Sequence, residues 1–474
     1  MKKILVLALA AFALFSCQKE NAVESSKEKA LVFDITVNQM GTKAVKTDFA
    51  DGDKIYVFFE DVTGANYVTL EKSGSDWNAS VTGTISGLSA SGKKMYAVHF
   101  PFEQPEITAD GAGVKFRCSD ASNTPGLHVY TYYMTNGSGS DYTVTDTDDA
   151  STVAGTLSMS IPDGFVQFFI NTDGAKYNKD NTYRLSIQGI KPTACSSYAN
   201  GVFTEKKNIL AAQPIWGYAY KSDGVAFTGK IDDTWSNSAN SHVAYLFDTE
   251  DVAKTQTFTG KTLSSGNAVN IKTAWTNAAP TISSVVNNGI TWADRNLGAT
   301  TADVTSEDSY GWYFAWGDII PATRTTAPGA NFGGDTYYQK TIAYEALNGK
   351  TEQLKGAYSI YDAATAFLGP NWRMPEQSEF ATLVSSYSWG GRISDYDHTS
   401  LIDLQCGSIW LPAAGNWNNG SFYDFLYGYY WSSSYSNGTD AYSLYFDNYD
   451  GYDRVNPYYD NDRYYGQSVR PLQN

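Results

Sequence analysis

From Leu31 to about Lys272 the apolar positions come in short runs interrupted by Gly, Asn and Asp. The clearest are Ile55-Tyr56-Val57-Phe58-Phe59, Met95-Tyr96-Ala97-Val98-His99-Phe100, Phe165-Val166-Gln167-Phe168-Phe169-Ile170 and Tyr183-Arg184-Leu185-Ser186-Ile187. Short runs rich in β-branched and aromatic residues, spaced by turn formers, predict strands of an all-β sandwich. No long segment in this part has a helical period. Residues 262–288 are small and polar, which suits a linker or a last strand.

Past that point the pattern changes. Tyr361–Leu368 places Ala363, Ala364, Phe367 and Leu368 on one helical face, and Gly369-Pro370 stops the helix. Pro375-Glu376-Gln377-Ser378-Glu379 opens a second helix, with its acids at the positive end of the dipole. Phe380, Leu383 and Val384 form its apolar stripe. Beyond Trp389 the chain returns to short strands rich in Gly, Asn and Tyr, so the C-terminal part reads as an α+β domain.

Composition sharpens this picture. The 474 residues carry 34 Lys+Arg against 50 Asp+Glu, a net charge of −16, and 15% of them are aromatic against 18% charged. Such a chain buries cores rather than staying disordered. A surface this acidic repels phosphate, so no nucleic-acid partner is expected. The last Lys is Lys355 and the last Glu is Glu379, yet ten Asp follow them. Between Phe422 and Tyr465 lie 13 of the 35 Tyr.

Lys2 and Lys3 precede an apolar run from Ile4 to Phe15, followed by Ser16-Cys17. This is the layout of a signal peptide, too short to span a bilayer. Cys17 after Leu14-Phe15-Ser16 resembles the bacterial lipobox, which implies a lipidated Cys17 and an outer-membrane, surface-exposed location. Cys118, Cys195 and Cys406 are far apart and read as free thiols rather than a disulfide framework or metal site. The expected order is a signal peptide (1–16), a lipidated tether (17–30), β-sandwiches at 31–165 and 166–275, a linker (276–288) and the C-terminal domain (289–474).

Thr42-Lys43-Ala44, then Phe49-Ala50-Asp51-Gly52-Asp53-Lys54-Ile55-Tyr56-Val57-Phe58, resemble the fimbrillin-like families of Bacteroidetes surface proteins. Tyr96, Phe100-Pro101-Phe102 and Leu157-Ser158-Met159-Ser160-Ile161 also fit. The resemblance implies two transthyretin-like sandwiches, with Lys43 standing where that family has a processing-site Arg. A second series of motifs follows: Ile290–Gly298, Gly311–Gly317, Trp372-Arg373-Met374-Pro375, Leu411-Pro412-Ala413-Ala414-Gly415, Tyr430-Trp431-Ser432-Ser433 and Ser468-Val469-Arg470-Pro471. These are similar to the Fibrobacter succinogenes major paralogous (FISUMP-like) domain, which implies a C-type-lectin-like α+β fold. The implied class is therefore multidomain: all-β fimbrillin-like sandwiches followed by a C-type-lectin-like domain.

Within that domain Trp292, Trp316, Trp372 and Trp431 read as scaffold, and Asp294, Arg373, Glu379 and Arg470 as candidates for buried ion pairs. Catalysis is not expected. Cys406 alone cannot supply the two soft ligands of a copper thiolate site, and Asp447–Asp453 lacks the EF-hand spacing. Asp397-His398-Thr399-Ser400 holds triad residue types without implying triad geometry, and His99, His128 and His242 have no ligand spacing. No cofactor is expected.

The tail is the candidate binding segment, because Tyr gives rigid contact area while Ser, Gly and Asn adapt. Tyr442, Leu444 and Phe446 alternate onto one face, the expected core side. The expected ligand contacts are Tyr429, Tyr435, Asn437, Tyr449, Asp450, Tyr452, Asp453, Asn456, Tyr458, Tyr459, Asn461, Asp462 and Tyr464. The tail also resembles variable regions of diversity-generating retroelement target proteins. In those, randomised Asn codons can yield Tyr, Asp, Ser and Gly but never Lys, Glu, Gln, Met or Trp. From Phe422 to Tyr465 the only such residue is Trp431. The expected function is display of a protein- or glycan-binding domain at the cell surface. The alternative is a fimbrial anchor or tip subunit that assembles with other subunits through its sandwiches.

Overall fold

The computed structural model describes residues 29–38, 49–89, 91–100, 106–107, 113–115, 134–171, 183–192, 196–205, 209–219, 224–232, 241–259, 263–271, 274–325, 332–390, 403–423, 427–447 and 454–474. Cys17, Lys43, Cys118 and Cys195 fall outside them, as do Tyr449, Asp450, Tyr452 and Asp453. The chain is predominantly β-sheet.

The first large sheet runs in the order Ala30–Asn38, Ala150–Ser158, Ser140–Asp146, Lys93–Phe100, Lys54–Phe59, Tyr67–Ser73, Asp76–Thr82. Its central run Ile55–Phe59 is apolar at every position because both faces are covered. Ile55, Val57 and Phe59 enter one core with Val68, Met95 and Leu157. Tyr56 and Phe58 enter another with Tyr67, Val98 and Tyr198. The N-terminal strand Ala30–Asn38 lies at the sheet edge, parallel to Ala150–Ser158 along all nine residues.

A second sheet gathers Asn267–Ile271, Phe165–Asn171, Gly224–Ile231, Ile215–Ala219, Tyr183–Ile187, Ser241–Phe247, Lys254–Thr259 and Thr276–Asn277. A small sheet joins Glu106–Ile107 and Gly113–Lys115 to Ser196–Ala199 and Val202–Glu205, so strands from either side of residue 165 pair with one another.

The C-terminal part mixes short helices with small sheets. Helix Ala363–Leu368 is capped by Asp362, whose carboxylate accepts from the Thr365 amide at 3.0 Å, and ends at Gly369 with φ 84°. The second helix, Gln377–Leu383, opens on a capping box between Glu376 and Glu379. Pro375 therefore stands outside it rather than in its first turn. Phe380 and Leu383 are its buried residues, as the stripe requires. Asp335–Tyr338 and Ile342–Leu347 are two further short helices without a legible period in the sequence. Among the described residues no helix is long and apolar enough to cross a membrane.

The second sheet and the C-terminal part share one apolar core. Val166, Leu246 and Phe247 belong to the same buried cluster as Leu297, Phe314, Trp316 and Phe367. Polar contacts close the joint. Gln213 Nε2 donates to Asp318 Oδ2 at 3.3 Å, and its Oε1 accepts from the Ile342 amide at 3.0 Å. The Leu210 amide donates to the Lys340 carbonyl at 3.0 Å and the Ala253 amide to the Phe367 carbonyl at 3.1 Å.

Burial pushes Asp318 up to about 6 and Asp362 and Asp403 up to about 7. Each holds its proton in the folded chain at a pH where an unfolded Asp, near pKa 3.9, has released it. The folded state thus binds more protons, so stability falls as pH rises from about 4 through 7. Asp61 and Glu379 have lowered values and lose their contribution only below that range, so across pH 5–8 they do not oppose the raised carboxyls. The urea midpoint is expected to be higher at pH 5 than at pH 8, with Asp318→Asn flattening the slope. A midpoint that climbs toward pH 8 contradicts this.

Candidate binding face

Five strands form the sheet that carries the tyrosine-rich tail, in the order Tyr313–Phe314, Gln467–Ser468, Tyr427–Tyr435, Asp440–Asp447, Arg454–Asp462. Alternation sorts its residues. On one side Tyr430, Leu444 and Phe446 enter a core with Trp292, Phe380 and Leu472. Gly428 is required there, because the Phe446 ring comes within 2.1 Å of where a Cβ would stand. The Tyr430 hydroxyl donates to the Pro412 carbonyl at 2.7 Å and accepts from Asn296 Nδ2 at 3.2 Å. Leu444 and Phe446 are fully buried as alternation predicts, while Tyr442 is only half-buried.

The opposite side holds Tyr427, Tyr429, Tyr445 and Tyr459, each half-buried. Pairing explains the grouping: Tyr429 lies opposite Tyr445, and Ser443 opposite Tyr459. Tyr445 and Tyr459 stack at 4.8 Å and 28°, Tyr427 and Tyr445 at 6.2 Å and 20°, and Tyr429 stands 5.1 Å from Tyr445. Burial raises the Tyr429 and Tyr445 phenols above their ordinary range, so both stay protonated donors at neutral pH. The Tyr445 hydroxyl donates to Asp447, which also meets Arg454 Nε at 3.2 Å.

Two irregularities shape the rim. Between the pairs Ser443–Tyr459 and Tyr445–Asn456 the edge strand carries one extra residue, a bulge at Pro457-Tyr458. The Asn456 side chain accepts from the Tyr458 amide at 2.9 Å, and Tyr458 is left 56% exposed. Pro457 also leaves this edge without one donor, which discourages pairing with a further strand. At the other end Arg463 lies over the Trp316 ring at 4.6 Å and the Tyr435 ring at 5.0 Å. Its guanidinium donates to the Asn437 carbonyl at 3.0 Å and the Asp440 carbonyl at 3.3 Å, fixing the turn between the first two tail strands.

The expected contacts therefore separate. Tyr429 and Tyr459 meet on the face, and Tyr458 projects at its rim. Tyr464 packs on Tyr465 at 4.8 Å. Asp462 lies opposite Asp440, and burial and that neighbour raise its carboxyl. Three of the expected contacts are engaged or buried within the fold. Asn437, though exposed, spends its side chain on its own turn, accepting from the Thr439 and Asp440 amides at 3.1 and 3.2 Å. Tyr435 is held as a wall for Arg463. Asn461 is buried rather than displayed. Tyr427, Tyr445, Asp447 and Arg454 were not among the expected contacts. Alternation held the signal, since Tyr442, Leu444 and Phe446 on one side leave Tyr445 and Asp447 on the other.

The scaffold assignments divide too. Trp292, Trp316 and Trp431 are fully buried, whereas Trp372 is half-buried. Arg373 and Glu379 form a two-pronged pair at 2.7 Å on each prong. Asp294 pairs with its neighbour Arg295 at 2.7 Å. Arg470 forms no ion pair among the described residues. It donates instead to the Asn296 side-chain oxygen at 3.0 Å and to the carbonyls of Ala293 (3.2 Å) and Trp410 (2.7 Å). Cys406 is buried and free, its thiol pushed up to about 12 by burial. Among the described residues no three His, Cys, Asp or Glu gather as metal ligands.

No family model and no curated protein matches the chain. Solved structures do. Two are each named a "putative cell adhesion protein". The one from Bacteroides ovatus is 12% identical, with 52% of this chain and 94% of that chain covered and a TM-score of 0.28. The one from Bacteroides uniformis is 14% identical, with 55% and 95% covered and a TM-score of 0.26. A fimbrial protein from Bacteroides ovatus is 12% identical, with 94% and 99% covered and a TM-score of 0.22.

Proposed function

We propose that the chain is a surface adhesin whose C-terminal part holds its ligand on the tyrosine face. The observation that carries this reading is the cluster of Tyr427, Tyr429, Tyr445 and Tyr459 on the side of the sheet opposite Tyr430, Leu444 and Phe446. Half-buried, mutually stacked rings are pre-ordered, so binding costs little side-chain entropy. Named cell-adhesion and fimbrial proteins among the similar structures agree with a role at the surface. Catalysis forms no part of this reading.

Lipid anchoring through Cys17 and a C-type-lectin-like identity for residues 289–474 belong to the same proposal. The first rests on the basic, apolar and Ser16-Cys17 pattern, the second on the motif series and the two helices over small sheets. Retroelement diversification of the tail is the third element. It requires a second DNA copy of the segment encoding 422–465 that differs only at adenines, and a gene without such a copy ends it. The alternative, a fimbrial subunit, draws on the edge position of Ala30–Asn38 and is favoured if deleting the gene removes fimbriae.

The test of the face is a Tyr445→Ala/Tyr459→Ala variant coated on beads and offered to intact epithelial and bacterial cells. Cell capture is expected to fall at least tenfold. The stack contributes only about 0.5–1.5 kcal/mol beyond area burial, so melting should shift by a few degrees. Undiminished capture, or collapse of the fold, rejects the assignment.

A further inference from the structure

The tyrosine face also carries two buried side-chain amides that the fold leaves incomplete. Gln467 pairs across the sheet with Phe314, while its neighbour Ser468 pairs with Tyr313 and, in parallel, with Tyr430. Ser468 therefore shares the Tyr430 side, and Gln467 lies on the Tyr429 and Trp431 side. Asn461 pairs with Ala441, two positions along from the Ser443–Tyr459 pair, and so lies on the same side as Tyr459. Gln467 is fully buried, and neither its Oε1 nor its Nε2 has a hydrogen-bond partner. Asn461 is 8% exposed, and its Nδ2 has none. Buried polar groups are overwhelmingly paired, and each unpaired one is costly. Two on one side of one sheet, beside stacked phenols, point to partners that arrive from outside.

Resting on the adhesin reading above, we propose that this face binds a neutral saccharide whose hydroxyls complete Gln467 and Asn461. The chemistry selects the class. Gln467 offers a donor and an acceptor side by side, and a sugar hydroxyl is both in one group. The phenols of Tyr429 and Tyr459 add hydroxyls of the same dual character, and with Tyr445 they give ring surface for the apolar C–H flank of a pyranose. Charge agrees. Asp447 is engaged by Arg454 and by the Tyr445 hydroxyl, so that acid–base couple is closed on itself rather than held ready for an ionic ligand. Gln467 lies beside Tyr429 across the strand pairing and Asn461 two residues along from Tyr459, so the saccharide reaches the amides as Tyr429 and Tyr459 turn outward, a side-chain motion that needs no change of fold.

The experiment uses the full chain on an array of neutral oligosaccharides built from hexoses and N-acetylhexosamines, with sialylated counterparts and a mildly periodate-oxidised set. The wild-type chain should bind neutral members and lose them on oxidation. Gln467→Met keeps the volume and removes the unpaired amide. It should weaken array binding at least tenfold while the melting temperature stays level or rises, a combination that a purely structural glutamine would not give. Tyr459→Phe, which keeps the ring, should weaken binding several-fold and covers the case in which Gln467→Met does not fold. Unchanged binding by Gln467→Met, or a preference for sialylated glycans, overturns the proposal. Failure to bind any neutral glycan, with Tyr445→Ala/Tyr459→Ala still abolishing cell capture, overturns the saccharide and leaves the adhesin face standing. Intact capture by that variant removes both.

Discussion

Phe367→Ala is expected to cost the whole chain about 3–5 kcal/mol, the range for deleting a buried aromatic ring from a core that cannot fully collapse. The side chain is fully buried, and its ring stands 5.3 Å from Phe247, 5.8 Å from Tyr245, 4.9 Å from Trp312 and 5.9 Å from Phe314. Two of those neighbours belong to the second sheet and two to the C-terminal part, so one substitution hollows both sides of the joint. Urea unfolding should show the midpoint falling, and limited proteolysis should show new cleavage between the two parts. A loss below 1 kcal/mol would mean that the parts do not pack through this ring.

The second large effect is expected at Arg470. Its guanidinium is fully buried, and burial lowers its proton affinity. Yet it joins three segments by donating to Asn296, Ala293 and Trp410. Arg470→Met fills much of the space and leaves three acceptors unpaired. Each unpaired acceptor costs about 1–3 kcal/mol, so a total of about 3 kcal/mol or more is expected. Arg470→Lys should recover little, because a point ammonium cannot spread to three divergent oxygens as a planar fork does. Thermal melts of the two variants decide this. Full rescue by Lys would show that charge rather than geometry matters at this position.

What could be read from the sequence was what depends on neighbours in the chain. The Gly369 stop, the acids Glu376 and Glu379 at the opening of the second helix and the continuous apolar run at Ile55–Phe59 are local patterns, and each has its structural counterpart. The Arg373–Glu379 pair lies six residues apart and was also accessible. What escaped depends on distant partners. Gln213 meets Asp318 across 105 residues, and no periodicity signals that. Arg470 was legible as a residue that must be held, but its holders are carbonyls, which carry no signature. In the tail, Tyr composition marked the segment and alternation marked the core side. Two register shifts, at Trp431–Tyr435 and Ser443–Tyr445, decided the rest. Asn437 and Asn461 show that residue type alone cannot distinguish a turn former, a buried amide and a surface contact.

The parallel pairing of Ala30–Asn38 with Ala150–Ser158 has a mechanical consequence. A pull that enters at Ala30 and leaves at Ser158 runs along both strands in the sense that slides one past the other. Every hydrogen bond between the nine residue pairs then shares the load, and none can be peeled away first. An antiparallel partner in that place would open one rung at a time. Under tension the outermost strand of the first sheet is thus a clamp, and its grip scales with its length.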